Sequence, residues 1–150
     1  MILGKRPEQR IYQVTRAAYL ESLQFFRELI KKACQEHGEI NDQDCYDLQL
    51  AVDEACTNII THGYAGMDPG SIIMRIQVSR DRVAIDLIDF GHPFEPSEAT
   101  MPDIEAGLDD RPMGGFGLFF IYQTMDEISY QTSEDGNCLT IIKFLNEPSD

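Results

Sequence analysis

The sequence predicts an α+β fold of the two-layer sandwich type, with three helices on one face of a mixed, mostly antiparallel sheet of about five strands. Two observations predict it. Apolar residues recur at helical spacing in some segments, and they alternate with polar residues in others. The segments run in the order strand, helix, helix, two strands, an irregular stretch, helix, two strands. At 150 residues with 43% hydrophobic residues, we expect a single domain over 1–150.

The first half of the chain contains one predicted strand and two predicted helices. The strand spans 10–16, and the first helix spans 19–37. Asn41 or Asp42 caps a second helix that runs to about His62, and each helix is followed by a glycine. The predicted core positions of the two helices are Leu20, Leu23, Phe26, Ile30, Ala33, Leu48, Val52, Ala55 and Ile59.

Two alternating segments, 71–79 and 83–89, are predicted to pair as a hairpin with one apolar face. The stretch 91–114 that follows has no periodicity and contains four prolines and six acidic residues against one arginine. An irregular segment of this length inside a compact domain is usually functional or disordered. We expect it to form a lid over 95–113.

The last part of the chain resumes a regular pattern. An apolar helix is predicted over 116–125, and strands over 126–130 and 138–144 close as a hairpin around a turn at 134–137. This third helix and second hairpin complete the two-layer arrangement.

Charge and composition exclude several classes of protein. The formal net charge is −14, and nucleic-acid binding requires clustered cations, so we expect no nucleic-acid partner. The charge suits simple solubility, and it equally suits a partner with a basic surface. No apolar run reaches the roughly 18 residues of a membrane span, and no signal-peptide pattern opens the chain. We therefore expect a cytoplasmic protein that does not cross a membrane.

Four cysteines, Cys34, Cys45, Cys56 and Cys138, lie in apolar or helical contexts without a Cys-x-x-Cys pair. Cysteine often serves as a small buried apolar side chain. We expect reduced thiols here rather than metal ligands or disulfides.

The second helix carries a polar pair in the segment Glu54-Ala-Cys-Thr-Asn58. Its spacing places a carboxylate and a carboxamide one turn apart, on a face distinct from the apolar stripe. A carboxylate can accept a proton from a hydroxyl or water, and a carboxamide oxygen is a neutral ligand suited to Mg²⁺. A solvated polar face gives the same pattern and, from the pair alone, is the simpler interpretation.

Asp89 continues the inward face of the second strand of the first hairpin. A carboxylate in a buried position needs hydrogen-bond donors. It can bond its own loop, or it can accept the exocyclic amine of adenine, with Gly91 letting the backbone approach the base. Both interpretations stay open on this evidence.

A glycine cluster, Gly114-Gly-Phe-Gly117, opens the predicted third helix. Free amides at a helix N-terminus attract anions, and glycines leave them unshielded. Close packing of a helix on a sheet explains such a cluster equally well. Arg111 is the only lysine or arginine between positions 83 and 142. A phosphate bound here would therefore depend on the helix amides, Mg²⁺ and this one cation.

Taken in order, the three segments resemble the nucleotide-binding boxes of the Bergerat ATP-binding family. They read Glu54-x-x-x-Asn58, Asp89-x-Gly91-x-Pro93-Phe94 and Gly115-x-Gly117-Leu118, with the predicted lid between the last two. The stretch Leu50-Ala-Val-Asp-Glu-Ala-Cys-Thr-Asn-Ile-Ile-Thr-His-Gly-Tyr64 resembles the bacterial anti-sigma factor serine/threonine kinases within that family. The similarity extends over about residues 10–145.

The resemblance implies an ATP site that uses Mg²⁺. By position, Glu54 is the general base, Asn58 is the Mg²⁺ ligand and Asp89 binds the adenine amine. The other nucleotide-binding positions that it implies are Gly91, Pro93, Arg111, Gly115, Phe116, Gly117 and Leu118. Phe116 stands where relatives often have a polar or basic residue, which leaves more of the phosphate contact to Arg111.

The resemblance also implies a partner. The phosphate acceptor would be a serine or threonine of a small STAS-type anti-sigma factor antagonist, and the same kinase would otherwise sequester a sigma factor. Only nine residues precede the first strand and no transducer domain follows the last one, so we expect an acceptor on another protein. The alternative is a nucleotide-gated binding protein with little or no kinase activity, which loss of Glu54 or Asn58 would support. Neither is lost, and formation of a homodimer is left open.

Overall fold

The computed structural model describes residues 9–93, 121 and 123–145. Five strands form one sheet in the order β1-β2-β3-β5-β4. Their bounds are β1 Arg10–Ala17, β2 Ser71–Val78, β3 Arg82–Asp89, β4 Glu127–Ser133 and β5 Gly136–Phe144. All four pairings between these strands are antiparallel. Within the described residues, the sheet predicted to be mostly antiparallel is entirely so.

Two helices, α1 (Leu23–Glu36) and α2 (Asp42–Asn58), are described in full. Asn41 is the cap of α2, because its side chain accepts a hydrogen bond from the Asp44 amide at 2.7 Å. The first helix begins later than predicted, since Leu20–Ser22 forms a short 3-10 turn. A 3-10 turn directs side chains differently from an α-helix. Leu20, predicted to lie in the core, is consequently exposed.

The predicted third helix is described only near its end. Residues 121, 123 and 124 are helical, and the Met125 amide donates to the Ile121 carbonyl at 2.9 Å. Both Ile121 and Met125 are buried. The remainder of the predicted helix and the predicted lid, 95–113, lie outside the described residues.

The core lies between the two described helices and one face of the sheet. The alternation predicted for β2 and β3 is observed in full, because every second residue from Ile72 to Val78 and from Val83 to Asp89 is buried. The largest fully buried side chains are Phe26, Ile30, Leu48, Ile72, Met74, Ile76, Ile85, Leu87 and Ile141. The buried face of β3 ends in a carboxylate, Asp89, and this exception to an otherwise apolar row locates the candidate site.

Two further expectations concern cysteines and membranes. All four cysteines are free; Cys56 is buried, and the other three are half-buried. This arrangement agrees with the predicted role as small apolar side chains. Among the described residues, no helix is long and apolar enough to cross a membrane.

Candidate functional site

Asp89 ends the buried face of β3 with a carboxylate that is only 4% exposed. Its Oδ1 atom accepts hydrogen bonds from the Gly91 amide at 2.9 Å and from Asn137 Nδ2 at 3.0 Å. Burial raises the pKa of this carboxyl, and the two hydrogen bonds partly offset the rise. Within the described part of the chain, both bonds reach Oδ1 and none reaches Oδ2.

Asn137 is held in place by the register of the sheet. It lies directly opposite Asp89 in the pairing of β3 with β5, and it is 3% exposed. Its Nδ2 group also donates to the Gly91 carbonyl at 3.0 Å. One carboxamide thus joins the Asp89 side chain to the turn that follows it.

Gly91 lies against the chain that leaves α2. A Cβ atom at this position would overlap the carbonyl group of Gly63. Next to it, the His92 amide donates to the same carbonyl oxygen at 2.6 Å. Glycine is required here by a close backbone contact within the protein, which is a reason that the sequence pattern did not reveal.

Asn58, in the last turn of α2, is 4% exposed. Its Nδ2 atom is buried and has no hydrogen-bond partner among the described residues. A buried polar group without a partner is costly, and such groups in native proteins often face an ion, a water or a ligand. The alternative of a solvated polar face does not describe this residue.

Glu54 lies one turn before Asn58 and is half-buried. Burial raises the pKa of its carboxyl, and the neighbouring Asp53 carboxylate raises it further. Asp53 itself is paired with Arg27 of α1, whose Nη1 atom lies 3.0 Å from both of its oxygens. Of the two adjacent carboxylates, Asp53 has a cationic partner, and Glu54 has none among the described residues.

Beyond Asn58, the chain forms a π-helical turn, Ile59–Gly63. The Tyr64 amide donates to the Ile59 carbonyl at 3.0 Å, five residues back instead of four. A Cβ atom on Gly63 would lie 3.7 Å from Asp89 Oδ1. The segment that follows the helix with Glu54 and Asn58 therefore lies beside Asp89 at the end of β3.

The structure does not place several predicted site residues beside Glu54, Asn58 and Asp89. Pro93 is the last described residue of its segment and is exposed. The predicted phosphate-binding residues Arg111, Gly115, Phe116, Gly117 and Leu118 lie outside the described residues. Their roles stay predictions from the sequence.

Two residues of the site were missed by sequence reasoning, Asn137 and Tyr64. Asn137 was assigned to a hairpin turn, yet the alternation of Asn137, Leu139 and Ile141 already placed it on the buried face of the strand. The Tyr64 hydroxyl accepts a hydrogen bond from the Phe90 amide, 26 residues further along the chain, in the turn after Asp89. No local pattern marks this role, because the contact depends on how the two segments fold together.

The site combines a buried carboxylate, a half-buried carboxylate of raised pKa and a buried carboxamide. Among the described residues, one oxygen of the first and the nitrogen of the last have no hydrogen-bond partner. The first two groups suit an amine of a base and a transferable proton, and a carboxamide suits a hard cation through its oxygen. With helices on one face of an antiparallel sheet, they indicate an ATP-binding domain related to histidine kinases. The family described as "Histidine kinase-like ATPase domain" matches residues 17–143, and the chain belongs to this family.

Similar proteins are kinases by name. The serine/threonine-protein kinase BtrW of Bordetella bronchiseptica is 32% identical over 96 residues, which are 64% of this chain and 68% of that protein. The serine-protein kinase RsbW of Bacillus pumilus is 36% identical over an alignment of 110 residues that covers 69% of this chain and 67% of that protein. The crystal structure of the RsbU and RsbW domains of Rv1364c from Mycobacterium tuberculosis has the same fold, with a TM-score of 0.67 at 18% identity. That match covers 93% of this chain and 34% of the longer one.

Proposed function

We propose that this protein is an ATP-dependent protein serine/threonine kinase of the anti-sigma factor type. It phosphorylates a small STAS-type antagonist protein and regulates transcription by partner switching, with a sigma factor as its other partner. The observation that carries the proposal is the buried Asp89 carboxylate at the end of β3, held by two donors on one oxygen. It lies beside Gly63, in the segment that follows the helix bearing Glu54 and Asn58. The relatives named as serine kinases support the class of acceptor.

Asp89 binds the base through its second oxygen, which accepts the exocyclic amine of adenine. Guanine presents a carbonyl at the same position, so it would place an acceptor against a carboxylate. ATP should therefore bind much more tightly than GTP. Calorimetric titration of the protein with each nucleotide tests the proposal, and equal affinities would contradict it.

Asn58 supplies the protein ligand for Mg²⁺. Its carboxamide is buried with one end unpartnered among the described residues, and rotation of the amide places either its oxygen or its nitrogen at that end. An oxygen there suits Mg²⁺, which takes few protein ligands and keeps several waters. When bound, the ion offsets phosphate charge that this acidic chain cannot offset with its few cations. Arg111 and the glycine segment Gly115–Leu118 are assigned to the phosphates.

Glu54 accepts the proton of the serine or threonine hydroxyl as that oxygen attacks the terminal phosphorus of ATP. The bond from that phosphorus to the bridging oxygen breaks, and ADP leaves. A base works best when its pKa approaches the working pH. Burial raises the pKa of Glu54 in that direction.

The raised pKa of Glu54 predicts how the reaction depends on pH. The base acts only when it is ionised, so transfer should fall as the pH drops through this raised pKa. Asp53→Asn removes the neighbouring charge that contributes to the rise, and it should move the acid limb of the profile to lower pH. Asp47→Asn, two turns earlier on α2, should leave the limb in place. Single-turnover transfer measured across pH is the test; an acid limb unmoved by Asp53→Asn would contradict it.

Phosphorylation of the partner should weaken the complex. A phosphoserine carries close to two negative charges at neutral pH, and the kinase has a formal net charge of −14. We expect the phosphorylated partner to bind more weakly than the unmodified one, with the difference reduced at high salt. Titration of both forms at two salt concentrations measures this, and tighter binding of the phosphorylated form would contradict it.

A further inference from the structure

Tyr64 links the start of β2 to the turn that follows Asp89. It is 5% exposed, and its hydroxyl donates to the Ser71 carbonyl at 2.8 Å. The same hydroxyl accepts a hydrogen bond from the Phe90 amide at 2.9 Å. Phe90 lies between Asp89 and Gly91, so one hydroxyl fixes the start of β2 to the turn that positions the carboxylate.

Further contacts hold the turn after Asp89 against residues 63–64. The His92 amide donates to the Gly63 carbonyl, and the backbone of Gly91 packs directly on Gly63. A Cβ atom on Gly91 would also lie 3.2 Å from the Tyr64 ring. The turn is thus bonded to residues 63–64, which continue the helix that carries Asn58.

The ring of Tyr64 occupies a closely fitted space. A Cβ atom on Gly70 would lie 2.8 Å from the Tyr64 hydroxyl oxygen. Burial raises the pKa of the phenol, which keeps it protonated and able to donate. Phenylalanine would fill the same volume, but it would leave the Phe90 amide and the Ser71 carbonyl without this partner.

We propose that Tyr64 is a positioning residue for base recognition: by holding the Phe90 amide, it fixes the turn that presents Asp89 to the adenine amine. The inference rests on the proposed ATP site. Tyr64 does not touch the nucleotide in this account and acts through the turn. Asn137 holds the turn from β5, and Tyr64 holds it from the α2 side.

The role predicts a selective loss in Tyr64→Phe. Affinity for ATP should fall about 3- to 10-fold, the effect of one lost hydrogen bond. Affinity for purine riboside triphosphate, which lacks the amine, should change less than about 2-fold by the same reasoning. Both are measured by calorimetry in the presence of Mg²⁺. An unfolded fraction lowers both apparent affinities by the same factor, so their ratio is independent of lost stability.

Tyr12→Phe is the matched control. Tyr12 is 7% exposed, lies on β1, and its hydroxyl donates to Glu36, away from the site. This variant should leave the ratio of the two affinities unchanged. Gly70→Ala is a second route to the same effect, because the added methyl group displaces the phenol. Like Tyr64→Phe, Gly70→Ala should reduce the ratio of the ATP affinity to the purine riboside triphosphate affinity. If Tyr64→Phe does not fold, Gly70→Ala tests the role of Tyr64 in its place.

The outcomes are distinct. A reduced ratio in Tyr64→Phe or Gly70→Ala, with Tyr12→Phe unchanged, supports the positioning role. If the native protein binds ATP and both site variants keep the native ratio, the role of Tyr64 is structural only and the inference is overturned. If the native protein binds neither nucleotide, the proposed ATP site fails, and the inference fails with it.

Discussion

Replacing Glu54 with glutamine should slow phosphoryl transfer by about 10²- to 10⁴-fold, the range for loss of a general base. ATP affinity should stay within a few-fold of native, because glutamine keeps the shape of the side chain. The substitution also leaves Asp89 and the turn after it, which are proposed to bind adenine, unchanged. Single-turnover transfer to the acceptor protein and calorimetric binding of ATP separate the two effects.

The adjacent Asp53 provides the control for this substitution. It is also a partly buried carboxylate on α2, but it is paired with Arg27. Asp53→Asn should keep transfer at neutral pH and alter only its pH profile. Full transfer activity in Glu54→Gln would show that Glu54 is not the base.

Replacing Asp89 with asparagine should cost about 1.5–3 kcal/mol of ATP binding, or roughly a 10- to 150-fold loss of affinity. Oδ1 of the native residue accepts from two donors. Asparagine must present its amide group either to these donors or to the adenine amine, so one donor faces another in either orientation. The preference for ATP over GTP should fall with the affinity.

Asp86→Asn is the matched control for Asp89→Asn. Asp86 is on the same strand but on the opposite face, where Thr140 donates to it at 2.6 Å and Arg75 pairs with it at 3.5 Å. Asp86→Asn makes the same change of charge as Asp89→Asn, but at a position three residues earlier and outside the site. It should leave ATP affinity near native. An equal loss in both variants would attribute the effect of Asp89→Asn to stability or net charge.

The face of β3 on which the Asp89 side chain lies could be predicted from sequence, because side chains alternate along a strand and the three preceding apolar residues fix which face is buried. The groups that donate hydrogen bonds to its carboxylate could not be predicted. Asn137 becomes its partner only through the register of β3 with β5, and no local pattern specifies that register. Because Asn137 follows Gly136, the sequence is equally suited to a turn there, and a turn is what it predicts.

The second helix shows the same division between local and tertiary information. Its apolar stripe and a cap at Asn41 or Asp42 follow from spacing and side-chain chemistry. The stripe is observed, and the cap is Asn41. The burial of Asn58 depends on what packs over the end of the helix, and the π-helical turn after it accompanies the contact of Gly63 with the turn at Gly91. Leu20 was misplaced for a related reason, since its spacing to Leu23 and Phe26 fits an α-helix and does not reveal that Leu20–Ser22 forms a 3-10 turn instead.

The central claim is that phosphate passes from ATP to a serine or threonine of a separate protein. It is tested most directly by incubating the native protein with Mg²⁺, ATP labelled on its terminal phosphate and a purified STAS-type antagonist protein. We predict acid-stable label on a serine or threonine of the antagonist, lost in Glu54→Gln and kept in Asp53→Asn. Acid-labile label on a histidine of the kinase itself would contradict the claim, as would an antagonist that binds only when ATP is present and stays unmodified.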